Sequence, residues 1–384
     1  MRFLTILACS FSLSSALAGP LTPPGAPAPT HKTLTEVEPR IAINATNTPS
    51  GPFGTYTISS PGSYYLNGNV AGELGKAGIY IDTTGQVTID LNGFELVGIP
   101  NSGAGINVAD ASSVRIHNGT VRDWHLIGIF TIVGVSATLE SVNATNNGGD
   151  GIFVGNHSII SYCTASLNGD DGIRSGISSV ISNSTSHNNT SSGIRSSTNS
   201  TITNCSTYAN TLNGISSGEG STITGCSSYT NGTNGIFSGT GSHISGNSSR
   251  QNDGDGFNIV GGSYIFNNNA SANDGDGIET AGDSYVLNNN CDSNDLDTIG
   301  DGAGIHITGD DTRVEGNNTN DNRIGIVTTS AGCLVVRNSA SGNVLFNYNL
   351  HAGTRYGSII VLGNGDIAGN ANPNNNHPMA NFSY

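Results

Sequence analysis

The chain is 384 residues long with 54 Gly, 1 Trp and 2 Met, and only 11% of it is charged, about half the share usual in a soluble globular domain. With 13 basic against 28 acidic residues, net −15, it has no basic stripe to neutralise phosphates, which excludes a nucleic-acid binder. No run of about 18 apolar residues is present, which excludes a bundle of membrane-spanning helices, and the surplus of Gly, Asn, Ser and Thr speaks against a helical protein.

Residues 1–18 carry one base, Arg2, then an apolar stretch and the small-x-small run Ala16-Leu17-Ala18, the pattern of a secretory signal peptide. Its removal leaves 12 basic and 28 acidic residues with five cysteines, and places the mature protein outside the cytoplasm, secreted or in the periplasm or cell envelope. Residues 19–30 hold five prolines and form an extended linker. Residues 31–75 are expected to cap the folded body, and the Asn-rich end, 366–384, to be irregular.

Between these the chain repeats itself. Gly-Ile or Gly-Phe occurs at 151, 172, 193, 214, 235, 256 and 277, steps of 21 residues without drift. Counting from each glycine, offset 1 is Ile or Phe and offset 9 is Ile or Val, while offset 7 is Ser and offset 17 is Asn in all seven copies. The alternation around each apolar column has period 2, as in strands with one buried face, and Gly and Asn mark corners where positive φ is expected. A period of 21 holds about three short strands and three turns but not a strand with a crossover helix, which needs about 30 residues. Each copy is therefore one coil of a parallel β-solenoid, an all-β fold, with coils about 4.8 Å apart and equal offsets stacked into ladders. About a dozen coils over residues 76–365 predict one rod-like domain.

The 21-residue coils, the Ile columns and the asparagine ladder resemble the right-handed parallel β-helix proteins of the pectate-lyase-like superfamily, and the segments Thr55–Ile58, Pro61–Leu66 and Val87–Phe94 resemble the first coils of its secreted bacterial members. The resemblance implies a right-handed β-helix and a polysaccharide or cell-surface glycan as partner, with lyase or hydrolase activity as the enzymatic expectation. A non-catalytic envelope scaffold or adhesin is the rival from another class. Gly169-Asp170-Asp171 and Gly309-Asp310-Asp311 are similar to the paired aspartates of polygalacturonase-like hydrolases, but their Gly-His-Gly and Arg-Ile-Lys partners are absent. Lyases of the fold use a Lys or Arg base, and the mature chain has only Lys32 and Lys76, leaving Arg174, Arg195, Arg250 or Arg313 for that role.

The stacked asparagines and the Ser column read as structural, their side chains bonding one another and the backbone. Cys163, Cys205 and Cys226 share offset 12 and are expected to be interior thiols, because in-register neighbours hold their Cβ atoms further apart than the roughly 3.8 Å of a relaxed disulfide.

From Asp253 to Glu315 there are 13 acids and one base, Arg313, with Asp253, Asp274 and Asp295 at offset 18 and Asp255, Asp276 and Asp297 at offset 20. Stacked carboxylates one coil apart fit a wet corner of turn residues, a Ca²⁺ site or a catalytic pair. For the metal the candidates are Asp253, Asp255, Asp274, Asp276 and Asp297, oxygen ligands suited to Ca²⁺. For acid/base chemistry they are Asp276 and Glu279 with His306 assisting, beside a coil expanded by six residues. Offset 2 points outward and offers Phe153, Arg174, Arg195 and Phe237 for substrate binding.

Overall fold

The computed structural model describes residues 39–295, 302–361 and 378–384, and the chain's contacts divide it at Arg40. The signal peptide, the proline linker, Asp297 and the Asn-rich stretch 370–376 lie outside the described residues. From Ile41 onward the chain is a stack of parallel strands. One fourteen-stranded sheet runs from Gly54–Ile58 to Phe346–Leu350, and a twenty-eight-stranded sheet supplies the other two sides of each coil. A typical coil has three strands of three residues, Ile173–Ser175, Val180–Ser182 and Thr185–His187. Among the described residues no helix is long and apolar enough to cross a membrane.

The strands of the fourteen-stranded sheet follow an in-out-in pattern, and the other two strands of a coil, such as Val180–Ser182 and Thr185–His187, bury only their middle residue. In Ile215-Ser216-Ser217 the first and third residues are buried and the second faces outward. The isoleucines at offsets 1 and 9 are fully buried from Ile152 and Ile160 onward, so the core is two facing apolar columns. Each buried Ile contributes about 1.5–3 kcal/mol of transfer free energy, shared among coils because every side chain also touches its copies above and below.

Each coil turns three times, at offsets 6, 11 and 16, and at each corner the residue is left-handed: in the coil from Gly214 these are Gly220 (φ 65°), Gly225 (φ 66°) and Thr230 (φ 52°). Gly and Asn mark two of these corners, as the sequence reading expects: Asn183, Asn204, Gly225, Gly246, Asn267 and Asn288 share offset 11, and Asn199, Gly220, Gly241 and Gly262 share offset 6. At the third corner, directly before the ladder asparagine, the identity varies: Leu167, Asn188, Ala209, Thr230 and Gln251. The next residue then points inward as an acceptor. At offset 7, Ala137 N–H donates to Ser158 Oγ (3.0 Å) and Ser242 N–H to Ser263 Oγ (3.1 Å). At offset 17, Asn168 N–H donates to Asn189 Oδ1 (3.1 Å), and its Nδ2 donates to the same oxygen (2.9 Å). At offset 12, Cys205 N–H donates to Cys226 Sγ (3.5 Å) and Cys226 N–H to Asn247 Oδ1 (2.8 Å). All five described cysteines are free and buried.

The glycine at offset 0 is required by space rather than by φ. A Cβ on Gly172 would sit 2.6 Å from Asn189 Nδ2 and 2.8 Å from Gly193 O. The same crowding recurs at Gly193, where a Cβ would lie 2.6 Å from Asn210 Nδ2, so the asparagine ladder and the glycine column specify each other.

Two boundaries differ from the sequence reading. Stacking already includes Ile41–Ala42, which pairs with Tyr64–Tyr65, well before residue 76. At the other end Asn381–Ser383 pairs with the last coil, because Asn381 continues the offset-12 ladder: Asn338 N–H donates to Asn381 Oδ1 (3.0 Å).

Asn210 tests the ladder. It accepts from Asn189 N–H (3.1 Å) and Asn189 Nδ2 (2.9 Å), and donates to Ser186 O (3.2 Å) and Asn231 Oδ1 (3.0 Å). Asn210→Ala leaves a buried N–H without an acceptor and is expected to cost about 3 kcal/mol or more. Denaturant unfolding of the variant measures this, and a midpoint equal to the parent's would contradict the ladder's role.

Candidate functional site

Parallel register on the fourteen-stranded sheet puts Phe130, Phe153, Arg174, Arg195, Ser216, Phe237, Asn258, Glu279 and His306 in one outward column, one residue per coil. The six-residue expansion before Gly304 leaves this register intact, with Ile278 opposite Ile305. The column has two polar patches, with Phe237 two coils from Arg195 and one coil from Asn258. At one end it adjoins an open groove of about 540 Å³ lined by Phe53, Tyr80, Ile127, Phe130 and Ile132 among others.

Asp276, Glu279 and His306, the three residues expected to carry acid/base chemistry, come together in the C-terminal patch. Asp276 is buried beneath the column. One of its oxygens accepts the Ala303 N–H in a short contact, and Oδ2 lies 3.0 Å from His306 Nδ1. Glu279 stands beside His306 on the next strand and is half-exposed. Asn258, which the sequence reading did not single out, bridges two carboxylates: its Nδ2 donates to Asp255 Oδ2 (2.7 Å) and Glu279 Oε2 (2.7 Å). One oxygen from each of Asp255, Asp276 and Glu279 lies within 4.8 Å of the others, a grouping able to hold a metal ion.

This crowding shows in the proton equilibria. Desolvation, reinforced by the neighbouring Asp255 and Asp276 charges, pushes Glu279 up to about 7. Burial also raises Asp276, while the bond from His306 works against it.

The expected metal set is divided. Asp255 and Asp276 converge, but Asp253 and Asp274 are exposed. Each follows a ladder asparagine directly, its N–H donates to the asparagine carbonyl one coil back, and its side chain turns to solvent. Glu279 takes the third place in the cluster.

The expected substrate-binding set divides as well. Phe153, Arg174 and Arg195 form the second patch, four coils or about 19 Å from Glu279. Phe153 packs edge-on against Phe130 at 5.4 Å, and the Arg174 guanidinium lies 4.6 Å above the Phe153 ring. Beneath the arginines are Asp150 and Asp171, at the same offset as Asp255 and Asp276. Arg174 Nη1 stands 3.9 Å from Asp150 Oδ2, and Arg195 Nη1 stands 3.7 Å from Asp171 Oδ2. The signal for this second carboxylate pair was the offset-20 column continued upstream.

No curated protein matches the chain by sequence. Among solved structures the chain is similar to the A-module of mannuronan C-5 epimerase AlgE6 from Azotobacter vinelandii, at 15% identity and a TM-score of 0.43 over 77% of this chain and 91% of that one. It is also similar to the periplasmic alginate epimerase AlgG, at 12% identity and a TM-score of 0.37 over 82% and 80% of the two chains. For pectate lyase Pel9A the figures are 12% and 0.30, over 73% and 70%. Residues 104–249 match the family model described as a right handed beta helix region, and the chain is a right-handed parallel β-helix protein of about 21-residue coils.

Proposed function

We propose that this chain binds an acidic polysaccharide along the outward column of its fourteen-stranded sheet and performs acid/base cleavage on it at Glu279 and His306. The observation that carries the reading is the column itself: aromatic, cationic and acidic side chains in strict register along the rod. Such a column suits an extended polymer lying parallel to it. Phe153 and Phe237 offer ring faces and edges to sugar carbons, and Arg174 and Arg195 offer forked donors to uronate carboxylates.

At the C-terminal patch Glu279 exchanges protons near neutral pH, where an acid/base group is most effective. Asp276 is a positioning residue. Its oxygens are engaged by Ala303 N–H and His306 Nδ1, and a carboxylate at Nδ1 leaves Nε2 as the basic nitrogen of the ring. Carboxylate oxygens within 4.8 Å of one another leave no room for the water of an inverting hydrolase, whose carboxyls stand about 6.5–9.5 Å apart. Elimination needs no such water. One group removes the proton next to a uronate carboxylate and another protonates the departing glycosidic oxygen, leaving a double bond in one product and a hydroxyl in the other. The arginines, about four coils away, hold other residues of the same polymer rather than the reacting one.

Calcium at this patch would have to compete with existing donors. Both oxygens of Asp255 and of Asp276 and one of Glu279 already accept hydrogen bonds from Asp276 N–H, Asn258, Ala303 N–H and His306. A cation there would have to share or displace those hydrogen bonds, and no step of the proposed chemistry runs through one.

A panel of acidic and neutral polysaccharides, followed by unsaturated-product absorbance and reducing ends, tests the reading. Glu279→Gln and His306→Ala are each expected to lower kcat by about 10²-fold or more, and Arg174→Ala with Arg195→Ala to raise KM with little change in kcat. Activity unchanged in both Glu279→Gln and His306→Ala would remove the assignment. Silence across the panel with retained glycan binding would favour the non-catalytic scaffold.

The raised Glu279 also makes a stability prediction. Its folded pKa lies above the unfolded value of 4.5, so its contribution is fully present below about pH 4.5 and is lost as pH rises to about 7. Melting temperature is expected to fall across that window more steeply in the parent than in Glu279→Gln. Parallel curves would contradict the burial and charge crowding inferred for this group.

A further inference from the structure

We infer that the third strands of the coils beginning at Gly172, Gly193, Gly214 and Gly235 carry a second glycan-binding strip, which takes an uncharged polysaccharide. It lies on the twenty-eight-stranded sheet rather than on the one that bears the reactive column. Parallel register aligns His187 with Tyr208, Tyr208 with Tyr229 and Tyr229 with Arg250. The first three are stacked rings, with centroids 4.6 Å apart and 3° between planes for His187 and Tyr208, and 5.0 Å and 10° for Tyr208 and Tyr229. The Arg250 guanidinium closes the stack 5.4 Å from the Tyr229 centroid. Rings that face one another along the stack leave their edges and phenol hydroxyls turned outward. Two residues earlier on each strand, Thr185, Ser206, Ser227 and Ser248 form a parallel row of half-buried hydroxyls on the same outward face.

Further along the same two rows the polar groups bond one another: Asn290 Nδ2 donates to Asn269 Oδ1 (2.8 Å), Asn318 Nδ2 to Asn290 Oδ1 (2.9 Å) and Ser341 Oγ to Asn320 Oδ1 (2.7 Å). Within the strip, none of the four hydroxyls, the two phenols or the guanidinium has a hydrogen bond or ion pair to another described residue, so all of them are open to an outside partner. The surroundings decide the charge of that partner. Residues 159–167, 180–188, 201–209, 222–230, 243–251 and 264–272, which are the second and third strands of six successive coils with the corner between them, contain no Asp, Glu or Lys and one charge, Arg250, in a chain of net −15. Burial lowers the pKa of His187, which keeps its ring uncharged at neutral pH. A uronate polymer laid here would give up water around its carboxylates and meet a single cation. An uncharged sugar exchanges water for Ser, Thr and Tyr hydroxyls and rests its C–H groups on ring edges already held in place by stacking, at little cost in side-chain entropy. A strip three residues wide and four coils long covers about 190 Å², taking roughly 3.3 Å per residue and 4.8 Å per coil, far less than the 800 Å² or so per partner of a stable dimer. Its size suits one polymer strand rather than a second copy of the chain.

Ser166 and Ser271 flank the stack in its own row, so Tyr208→Ser with Tyr229→Ser introduces a residue that the row already holds and should fold. Electrophoresis through gels containing hydroxyethylcellulose, galactomannan or a soluble β-1,3-glucan, with alginate and polygalacturonate for comparison, gives a Kd from the loss of mobility. At least one of the three neutral polymers is expected to retard the parent, and Tyr208→Ser/Tyr229→Ser to weaken that binding roughly tenfold or more as two apolar rings are lost. Ser227→Asp keeps the stack whole and sets a carboxylate in the hydroxyl row, and is expected to weaken binding several-fold. Arg174→Ala with Arg195→Ala, on the other sheet, should leave it unchanged. A parent retarded by none of the neutral polymers, or only by the acidic ones, would overturn the assignment. So would equal retardation of the parent, Tyr208→Ser/Tyr229→Ser and Ser227→Asp. A parent that sediments as a dimer and becomes a monomer in Tyr208→Ser/Tyr229→Ser would assign the strip to contact between copies instead. Binding of neutral polymers is read without any cleavage, so this strip and the proposed activity on acidic polysaccharide fail or stand separately.

Discussion

The fold rests on one interaction repeated along its length: a backbone N–H at a corner of one coil donating to a side-chain acceptor of the next. A narrow solenoid has little core. Two apolar columns face each other across it, and the corners bring polar backbone inside, where an unpaired N–H is expensive. Ser at offset 7, Cys or Asn at offset 12 and Asn at offset 17 each remove one such debt per coil, as when Ser263 N–H reaches Ser284 Oγ and Asn268 N–H reaches Asn289 Oδ1. The left-handed residue before each acceptor turns it inward. Its strain, on the order of 1 kcal/mol for a non-glycine residue such as Thr230, is tolerated because the bond that follows is buried and cooperative along the stack.

Much of this was legible in the sequence, because a ladder enforces identity at its own position. Seven serines and seven asparagines at fixed offsets identify inward acceptors, and the alternation around Ile gives the strands. The left-handed corner before the ladder asparagine escaped the reading for the complementary reason: Leu167, Ala209 and Gln251 have no common chemistry, since only their backbone is used. Glycine at offset 0 was visible as a column but assigned to the wrong cause. What it avoids is a clash with the ladder amide of its own coil, as at Gly256, where a Cβ would lie 2.7 Å from Asn273 Nδ2.

The site was legible in part. Offset counting brought Asp276, Glu279 and His306 to one place, since in-register strands keep equal offsets adjacent even across the expanded coil. Charge density was a poorer guide. It grouped Asp253 and Asp274 with Asp255 and Asp276, although two residues along a turn are enough to carry one pair to solvent and the other under the sheet face. It also drew attention away from Asp150 and Asp171, which lie outside the acidic stretch and share its buried column.

That column shows how chemistry is placed on a repeat fold without altering it. At offset 20 the residues run Asp150, Asp171, Ser192, Asn213, Asn234, Asp255 and Asp276, and from Asp150, Asp171, Asn213, Asn234 and Asp255 the side-chain Oδ1 accepts the N–H of the following coil. Asp and Asn are therefore interchangeable for the backbone bond and differ only in charge. The periodicity that identifies the ladder is blind to that difference. Carboxylates occupy both ends of the run and neutral residues its middle, so two charged patches stand five coils apart on one outward face. Each modifies a different neighbour at offset 2: arginines over Asp150 and Asp171, an asparagine and a glutamate over Asp255 and Asp276. The first pairing leaves a buried oxygen of Asp171 without a hydrogen-bond donor; the second engages its oxygens and raises the glutamate toward neutrality, which favours proton transfer.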